Sequence, residues 1–149
     1  MPEREQTAYV LAKLIKRARR QIGNAIRERL EPMGTSLHTV QILRRVTAQG
    51  KLSQLDLARQ IELEPAALCR RIAELDAEGL VACRRDPDDQ RRVLVAATPA
   101  GAALLARAEP KAVAGIEALV SRLTRKEQTT LRRLLEKLAP DDESSTEAA

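Results

Sequence analysis

Metal-ligating and redox-active side chains are scarce in this sequence, which has one histidine, His38, and two cysteines, Cys69 and Cys83. A zinc cage is usually built from four nitrogen, sulfur or oxygen ligands, so the composition predicts no metal and no cofactor. The N-terminus also lacks the basic, apolar and small-residue order of a secretory signal. We therefore predict a cytoplasmic protein whose cysteines are reduced thiols rather than a disulfide.

Long apolar runs and catalytic patterns are also missing. Windows such as VLVAATPAGAALLA are interrupted by proline and glycine and fall short of the roughly 20 residues of a membrane span. There is no nucleophile elbow, no phosphate-binding glycine loop and no pair of adjacent acids outside the charged segment DPDD and the acidic tail. We therefore predict neither a membrane partner nor an enzyme. The length of 149 residues fits one compact domain with or without a helical extension.

Positive charge is in excess, and it is unevenly distributed. The chain has 26 basic and 21 acidic residues, for a net charge of +5. Four of the acids lie in the last nine residues, DDESSTEAA, which contain no cation, so residues 1–140 carry a net charge of +9. This excess favours a polyanionic partner.

The first half of the chain shows helical periodicity. Apolar residues recur every three or four positions between 6 and 30, and the other face of this first helix is crowded with lysine and arginine. Ser36 is predicted to cap a second helix that ends at Gly50 in a left-handed conformation. Ser53 and Asp56 approximate a capping box and open a short third helix. Pro65 opens a fourth, which ends at Gly79.

The periodicity then changes from helical to alternating. VACRR and RVLVAA are strand-like runs separated by the turn residues DPDDQ, which together predict a hairpin. Thr98 and Pro99 open a long fifth helix predicted to reach Leu123, with Pro110 as a candidate kink. TRKE at 124–127 satisfies a capping box and opens a last amphipathic helix. The acidic tail at 141–149 is predicted to be disordered.

Two short helices followed by a hairpin are the order of a winged helix-turn-helix, in which the second helix enters the major groove of DNA. At the hairpin tip, Arg91 can reach the minor groove, and Asp89 can hold its guanidinium in place. Asp86 and Asp88 suit the tight turn because short acidic side chains bond their own backbone there. The alternative is a solvated hairpin whose exposed ion pairs have no function.

The fourth helix is predicted to be the recognition helix, with Leu68, Ile72 and Leu75 facing inward. Arg70 then faces outward and has the shape to grip a guanine edge, although an ordinary surface arginine would give the same pattern. The predicted DNA-binding residues are Ala66, Ala67, Arg70, Arg71 and Glu74 on this helix, Arg84, Arg85, Asp89, Arg91 and Arg92 on the wing, and Ser53 and Gln54 at the start of the helix-turn-helix.

Two segments resemble the MarR family of transcriptional regulators. DDQRRVLVAATPAG followed by AALL is similar to the family's wing signature, and EPAALCRRIAELDAEGLV is similar to its recognition helix. The resemblance covers residues 36–105. The residues that carry it are Asp89, Arg91, Thr98 and Gly101 in the wing signature, and Leu75, Gly79, Leu80 and Val81 at the end of the recognition helix.

This resemblance implies a mainly α fold with a small β-hairpin, in which residues 36–98 bind DNA. Residues 1–35 and 99–140 would form the helical dimerisation region. The implied protein is a homodimer that binds an inverted repeat in double-stranded DNA, and a repressor released by a small anionic or phenolic ligand. The apolar faces of the outer helices agree with a symmetric partner, although a monomer whose bundle closes on itself is the alternative. Other functions that stay open are a SlyA-like activator or antisilencer, and a helical adaptor that binds protein rather than DNA.

The chain departs from the family pattern in two places. Many members start the recognition helix with serine or threonine, where this chain has Glu64, Ala66 and Ala67, so base contacts there are reduced. Family ligand pockets are often lined by aromatic side chains, and this chain has only one, a tyrosine. If an aromatic or carboxylate effector binds, we expect it between the first two helices and the start of the fifth, where the candidate polar groups are Tyr9, Arg17, Arg20 and His38. The alternatives, which we favour, are that His38 is a surface residue at a helix start and that Tyr9 packs in the dimer interface.

The two cysteines allow one more hypothesis. Cys69 lies in the recognition helix and Cys83 in the first wing strand, so a redox change would act directly on DNA binding. Neighbouring arginines, Arg70, Arg84 and Arg85, can lower the pKa of a thiol. The alternative, which we favour, is that both cysteines are buried and inert.

Overall fold

The computed structural model describes residues 3–140, and the tail predicted to be disordered lies outside the described residues. Within 3–140 the chain forms six α-helices and a three-stranded antiparallel sheet, so the predicted fold class is confirmed. None of the helices in this range has the length and apolar character needed to cross a membrane. The elements are α1 Glu3–Leu30, α2 Leu37–Gln49, β1 Leu52–Ser53, α3 Gln54–Ile61, α4 Pro65–Ala77, β2 Val81–Arg85, β3 Val93–Ala97, α5 Pro99–Val120 and α6 Arg125–Leu138.

The helix starts follow the predicted caps. The Ser36 hydroxyl accepts a hydrogen bond from the Thr39 N–H at 3.3 Å, and Pro65 lies in the first turn of α4. Thr124 and Glu127 form both halves of the capping box that opens α6. Serine, threonine and proline at these positions satisfy or remove the N–H groups that a helix start leaves unpaired.

Some helix ends differ from the predictions. Gly50 has a positive φ of 81° with a ψ of −56°, so it ends α2 outside the predicted left-handed helical region. The fifth helix ends at Val120 rather than continuing to Leu123, and it passes Pro110 without a break in the helical assignment. The first helix starts at Glu3, three residues before the predicted start.

The sheet contains a strand that the sequence pattern did not predict. The order is β1-β3-β2, with Leu52 opposite Val95 and Val81 opposite Ala97. β1 has two residues, too few to show an alternating pattern. This short strand connects the predicted hairpin directly to the start of α3.

The chain divides into two compact units, one up to Ile116 and one from Glu117. The first has an aliphatic core to which α1 contributes only its last turns. Arg44 on α2 also pairs with Glu109 on α5 at 2.5 Å. The largest fully buried side chains are Leu30, Val40, Ile42, Leu43, Val46, Leu57, Leu68, Ile72, Val81 and Val95.

Thr98 and Gly101 join the end of the recognition helix to the start of α5. The Thr98 hydroxyl donates to the Gly79 carbonyl at 2.6 Å and accepts from the Gly101 N–H at 3.1 Å. A Cβ on Gly101 would lie 2.0 Å from the Leu80 carbonyl oxygen. The spacing of threonine and glycine in the wing signature is therefore explained by backbone packing.

Candidate nucleic-acid interface

The helix-turn-helix consists of α3 and α4. The Ser53 hydroxyl accepts from the Asp56 N–H at 3.1 Å, and Gln54 is the first residue of α3. The turn after α3 places Glu62 in the left-handed region, at φ 52° and ψ 41°, which non-glycine residues rarely adopt. Together with the bond from the Leu63 N–H to the Ala58 carbonyl, this conformation redirects the chain into α4.

The faces of α4 are as predicted. Leu68, Ile72 and Leu75 are buried, and the residues predicted to face DNA lie on the exposed side. Of these, Ala66, Arg70 and Glu74 are exposed, whereas Ala67 and Arg71 are partly buried.

The two arginines on this face have different surroundings. Arg71 pairs with Glu74 at 2.9 Å, whereas no hydrogen bond or ion pair engages the Arg70 guanidinium among residues 3–140. α4 thus presents Arg70 as an uncompensated cation.

The acidic residues of the wing tip hold the backbone of the turn. Asp86 accepts from the Asp88 N–H and Asp89 accepts from the Arg91 N–H, each at 3.0 Å. No ion pair joins Asp89 to the Arg91 guanidinium among residues 3–140, and Asp89 contacts Arg91 through its backbone N–H instead, which corrects the prediction that Asp89 holds that guanidinium. Asp88 was also predicted to bond the turn, but the two carboxylates that do so are those of Asp86 and Asp89.

Two of the predicted wing arginines make contacts within the chain. The Arg85 guanidinium donates to the Gln90 carbonyl at 2.8 Å, and that of Arg92 donates to the Asp56 carboxylate of α3 at 3.2 Å. Arg84 and Arg91 are exposed and have no such partner among residues 3–140. The opposed charges of the wing therefore fix its shape and leave Arg91 available at the tip.

The Asp56–Arg92 contact was missed by sequence reasoning because the two residues are 36 positions apart. One signal was present: Asp56 is one carbon shorter than the glutamate of a standard capping box. In α6 the longer Glu127 bonds back to the backbone N–H of Thr124, which completes the box. At α3 only the serine half of the box is formed, and the carboxylate turns to Ser53 Oγ and Arg92 instead.

The cysteine predictions need correction. Cys69 is exposed rather than buried, and Cys83 is only partly buried. Burial raises the pKa of the Cys83 thiol, and electrostatic interactions with Asp76 and Cys69 add to the increase. A reactive thiolate requires a lowered pKa. The neighbouring arginines do not lower the pKa of Cys83, so this condition is not met.

The four residues assigned to an effector are not gathered within one chain. Tyr9, Arg17 and Arg20 lie on the exposed part of α1, where Lys13 Nζ lies 4.6 Å from the Tyr9 ring centroid. His38 is exposed in the first turn of α2, which packs near the other end of α1. At about 1.5 Å per residue, Tyr9 is about 31 Å along the helix axis from Leu30.

A surface pocket of about 170 Å³ lies between α2 and the end of α3. It contains none of the four residues assigned to an effector. Its lining is mostly polar, with two arginines and one acid: Gln41, Arg44, Arg45, Gln60, Ile61 and Glu62.

Comparison with known proteins decides the family. The model of the MarR family matches residues 36–93, which include α2 to α4, β1, β2 and the wing turn. The HTH-type transcriptional repressor Rv2887 of Mycobacterium tuberculosis is 32% identical over 112 residues, covering 75% of this chain and 81% of the relative. The chain belongs to the MarR family. The resemblance identified from the wing and recognition-helix motifs is thereby confirmed.

Two solved structures extend the match to the outer helices. A mutant of MarR from E. coli in complex with operator DNA has a TM-score of 0.80 and 26% identity, covering 87% of this chain and 94% of that one. BpsR of Bordetella bronchiseptica, whose DNA binding is regulated by 6-hydroxynicotinic acid, has a TM-score of 0.79 and 26% identity, covering 88% and 94%. The likeness thus includes the winged helix-turn-helix and most of the helices outside it.

Proposed function

We propose that this protein is a dimeric, DNA-binding transcriptional repressor that a small ligand releases from an inverted repeat. The family and its members support this function: Rv2887 is named a repressor, and the MarR mutant was solved on operator DNA. The observation that carries the proposal is the pair of exposed, uncompensated arginines, Arg70 on α4 and Arg91 at the wing tip. Arg84 on β2 is also exposed and has no partner among residues 3–140, whereas Arg71, Arg85 and Arg92 make contacts within the chain.

The chemistry of each arginine matches a different groove. A guanidinium on the outer face of α4 can donate two hydrogen bonds to guanine O6 and N7 in the major groove. The wing arginine matches a narrow A·T-rich minor groove, whose negative potential attracts inserted cations. Ala66 and Ala67 leave the start of α4 free of bulky side chains, which permits close approach. Arg70 is therefore proposed to read sequence and Arg91 to read groove width.

A second copy of the chain is proposed to cover the apolar faces of the outer helices. On α1 and α6, large apolar side chains are exposed at helical spacing, which is uncommon on a monomer surface. The exposed residues are Tyr9, Val10, Leu11, Leu14, Ile15 and Ile22 on α1, and Leu131, Leu134, Leu135 and Leu138 on α6. A two-fold axis would place two recognition helices about one turn of DNA apart, which matches an inverted repeat.

A carboxylate of the 6-hydroxynicotinic acid type is the proposed class of effector. The support is the regulation of BpsR by that compound, together with the basic groups at Arg17 and Arg20. Because one chain does not gather Tyr9, Arg17, Arg20 and His38, a site made from these residues requires contributions from the second copy. Binding there would favour one of two arrangements of the dimer and so change the spacing of the recognition helices.

The proposal is tested by selecting duplexes from a random pool with the purified protein and measuring their affinities. An inverted repeat should emerge, and Arg91→Ala should weaken binding most when the flanks are A·T-rich. Arg107→Ala on the exposed side of α5 removes the same charge away from the proposed interface and is the matched control. Failure to enrich any duplex at low salt would contradict the proposal and favour a protein-binding adaptor.

Repression and release need a second assay. With the selected repeat placed across a promoter, the protein should lower transcription in a purified system, and small aromatic carboxylates should restore it. An increase in transcription on adding the protein would instead assign it to the activators or antisilencers.

A further inference from the structure

The wing is tied to the helix-turn-helix by a contact between Asp56 and Arg92. The Arg92 guanidinium lies 3.2 Å from Asp56 Oδ2, and both side chains are only partly exposed, at 49% and 41%. Arg92 comes directly before β3, and Asp56 lies in the first turn of α3, directly after β1. The ion pair therefore continues the two-residue pairing of β1 with β3 beyond the point where the strand ends.

Both partners are held in place by other bonds. The Ser53 hydroxyl donates to Asp56 Oδ2 at 2.6 Å, which fixes the carboxylate at the helix start. The Arg92 backbone is bonded on both sides of the wing turn, since its N–H donates to Asp89 and its carbonyl accepts from Asp86, each at 2.9 Å. A continuous series of bonds thus leads from the start of α3 to the turn that carries Arg91.

We propose that Arg92 is a positioning residue that orients the wing through Asp56, and that this ion pair sets how strongly the protein prefers A·T-rich flanks. The inference rests on the proposed function, because it assumes that Arg91 enters the minor groove. It revises the prediction that Arg92 contacts DNA. A guanidinium already paired with a carboxylate has little charge left for a phosphate, whereas its neighbour Arg91 is unpaired.

A partly exposed ion pair changes an equilibrium by up to about fivefold. Such a contact adds little to the free energy of unfolding. Removing it should therefore change the orientation of the wing more than the stability of the fold. A dimer contains two copies, and we expect loss of the pair to reduce discrimination between A·T and G·C flanks by roughly 3- to 10-fold.

The test compares Arg92→Gln, Asp56→Asn and the double variant on the duplex selected by the wild-type protein, with either A·T or G·C flanks. Both single variants should lose flank discrimination by a similar factor, and the double variant should be no worse than either. Arg59→Gln is the matched control, because Arg59 approaches the same Asp56 carboxylate at 4.0 Å but lies on α3 itself. It should leave the discrimination unchanged.

Salt dependence separates positioning from direct contact. If Arg92 positions the wing, the slope of log affinity against log salt should be the same for Arg92→Gln and wild type. A direct phosphate contact predicts that Arg92→Gln lowers the slope by about one per chain and weakens all flanks equally. It also predicts that Asp56→Asn strengthens binding by releasing Arg92. That pattern, or unchanged discrimination in both variants, would overturn the inference.

A measurement without DNA keeps this inference separate from the proposed function. Hydrogen exchange of the Asp88 and Arg91 amides in the wing turn should be faster in Arg92→Gln and Asp56→Asn than in wild type or Arg59→Gln. Equal exchange in all four proteins would overturn the positioning role even if they bind DNA. Faster exchange in a protein that binds no duplex would contradict the proposed function alone.

Discussion

The winged helix-turn-helix and the last helix show the same helical periodicity, but their leucines have opposite environments. Leu43 on α2 has no exposed surface, and Leu68 on α4 is 1% exposed. On α6, which has no buried residue within Arg125–Leu138, the apolar side chains are exposed by at least 43%. The pattern that predicts a helix therefore does not specify which surface covers it.

This difference separates two sources of stability. The winged unit buries its apolar face against its own strands and helices, so its fold depends on contacts within one chain. The leucines of α6 do not pack against a comparable surface within Arg125–Leu138. We propose that a second copy of the chain packs against them. Substitutions of matched residues in the two regions should therefore change different quantities.

Leu43→Ala should have the largest effect on folding. Removing a fully buried leucine side chain costs about 2–5 kcal/mol of unfolding free energy, because packing is lost and a cavity remains. Leu135→Ala is the matched variant on α6, where it should mainly raise the dimer dissociation constant. Urea denaturation and sedimentation equilibrium measure the two quantities. Equal losses of folding free energy with no change in association would remove the distinction.

Gly101→Ala should cause the next largest loss of folding stability. Its Cβ would lie 2.0 Å from the Leu80 carbonyl oxygen, so the backbone must shift, at a cost of about 1–3 kcal/mol or more. Gly23→Ala is the control, since nothing lies within 4 Å of that Cβ and alanine favours a helix by about 1 kcal/mol. Thermal unfolding of both variants tests whether Gly101→Ala lowers the stability while Gly23→Ala raises it. A loss of stability at Gly23 would indicate that the second copy packs against that turn of α1.

Arg70→Ala and Arg71→Ala compare two neighbouring arginines on the recognition helix. If Arg70 makes a bidentate base contact, its loss should cost about 1–3 kcal/mol of binding and relax the preference at one base position. Arg71→Ala should cost less, because Arg71 already pairs with Glu74. Affinities for single-base variants of the selected duplex test this order. A uniform loss over all sequences would make Arg70 a phosphate contact.

The smallest effect concerns the capping box of α6. Hydrogen bonds from the backbone and side chain of Thr124 lower the pKa of Glu127 from its ordinary value of 4.5. A carboxylate with a lowered pKa stabilises the folded state above its unfolded pKa, and this contribution is lost as pH falls through the folded value. The stability difference between wild type and Thr124→Ala should therefore shrink below pH 4.5. Thr130→Ala, on the same helix but outside the box, should give a difference that does not depend on pH in this way.

Local chemistry predicted most of the fold. Ser36, Pro65 and Thr124 act within one turn of the helices they open, and the apolar run around Val95 is visible over five residues. What was missed depends on contacts between distant residues. β1 exists only because Leu52 and Ser53 pair with Val95 and Leu94 of β3.

For the candidate site, the sequence predicted which elements carry the charge but not how the charges pair. Wing acids next to arginines suggested side-chain ion pairs, whereas Asp86 and Asp89 bond the backbone. Arg85 and Arg92 had the same local signature as Arg91, and only the folded chain separates them. The sequence around Asp56 shows that its side chain is short for a capping box, but it does not show which distant cation the carboxylate meets, so Asp56 was identified as a helix cap and not as a partner of the wing.

We propose that two copies of this chain present two basic winged units to one DNA duplex. The affinity and stoichiometry for the selected duplex, measured between 50 and 200 mM salt, test this arrangement. We expect two chains per duplex and, for about 6–10 phosphate contacts, an affinity loss of about 10³- to 10⁵-fold over that range. A single chain per duplex, an affinity independent of salt, or no binding at 50 mM would contradict it.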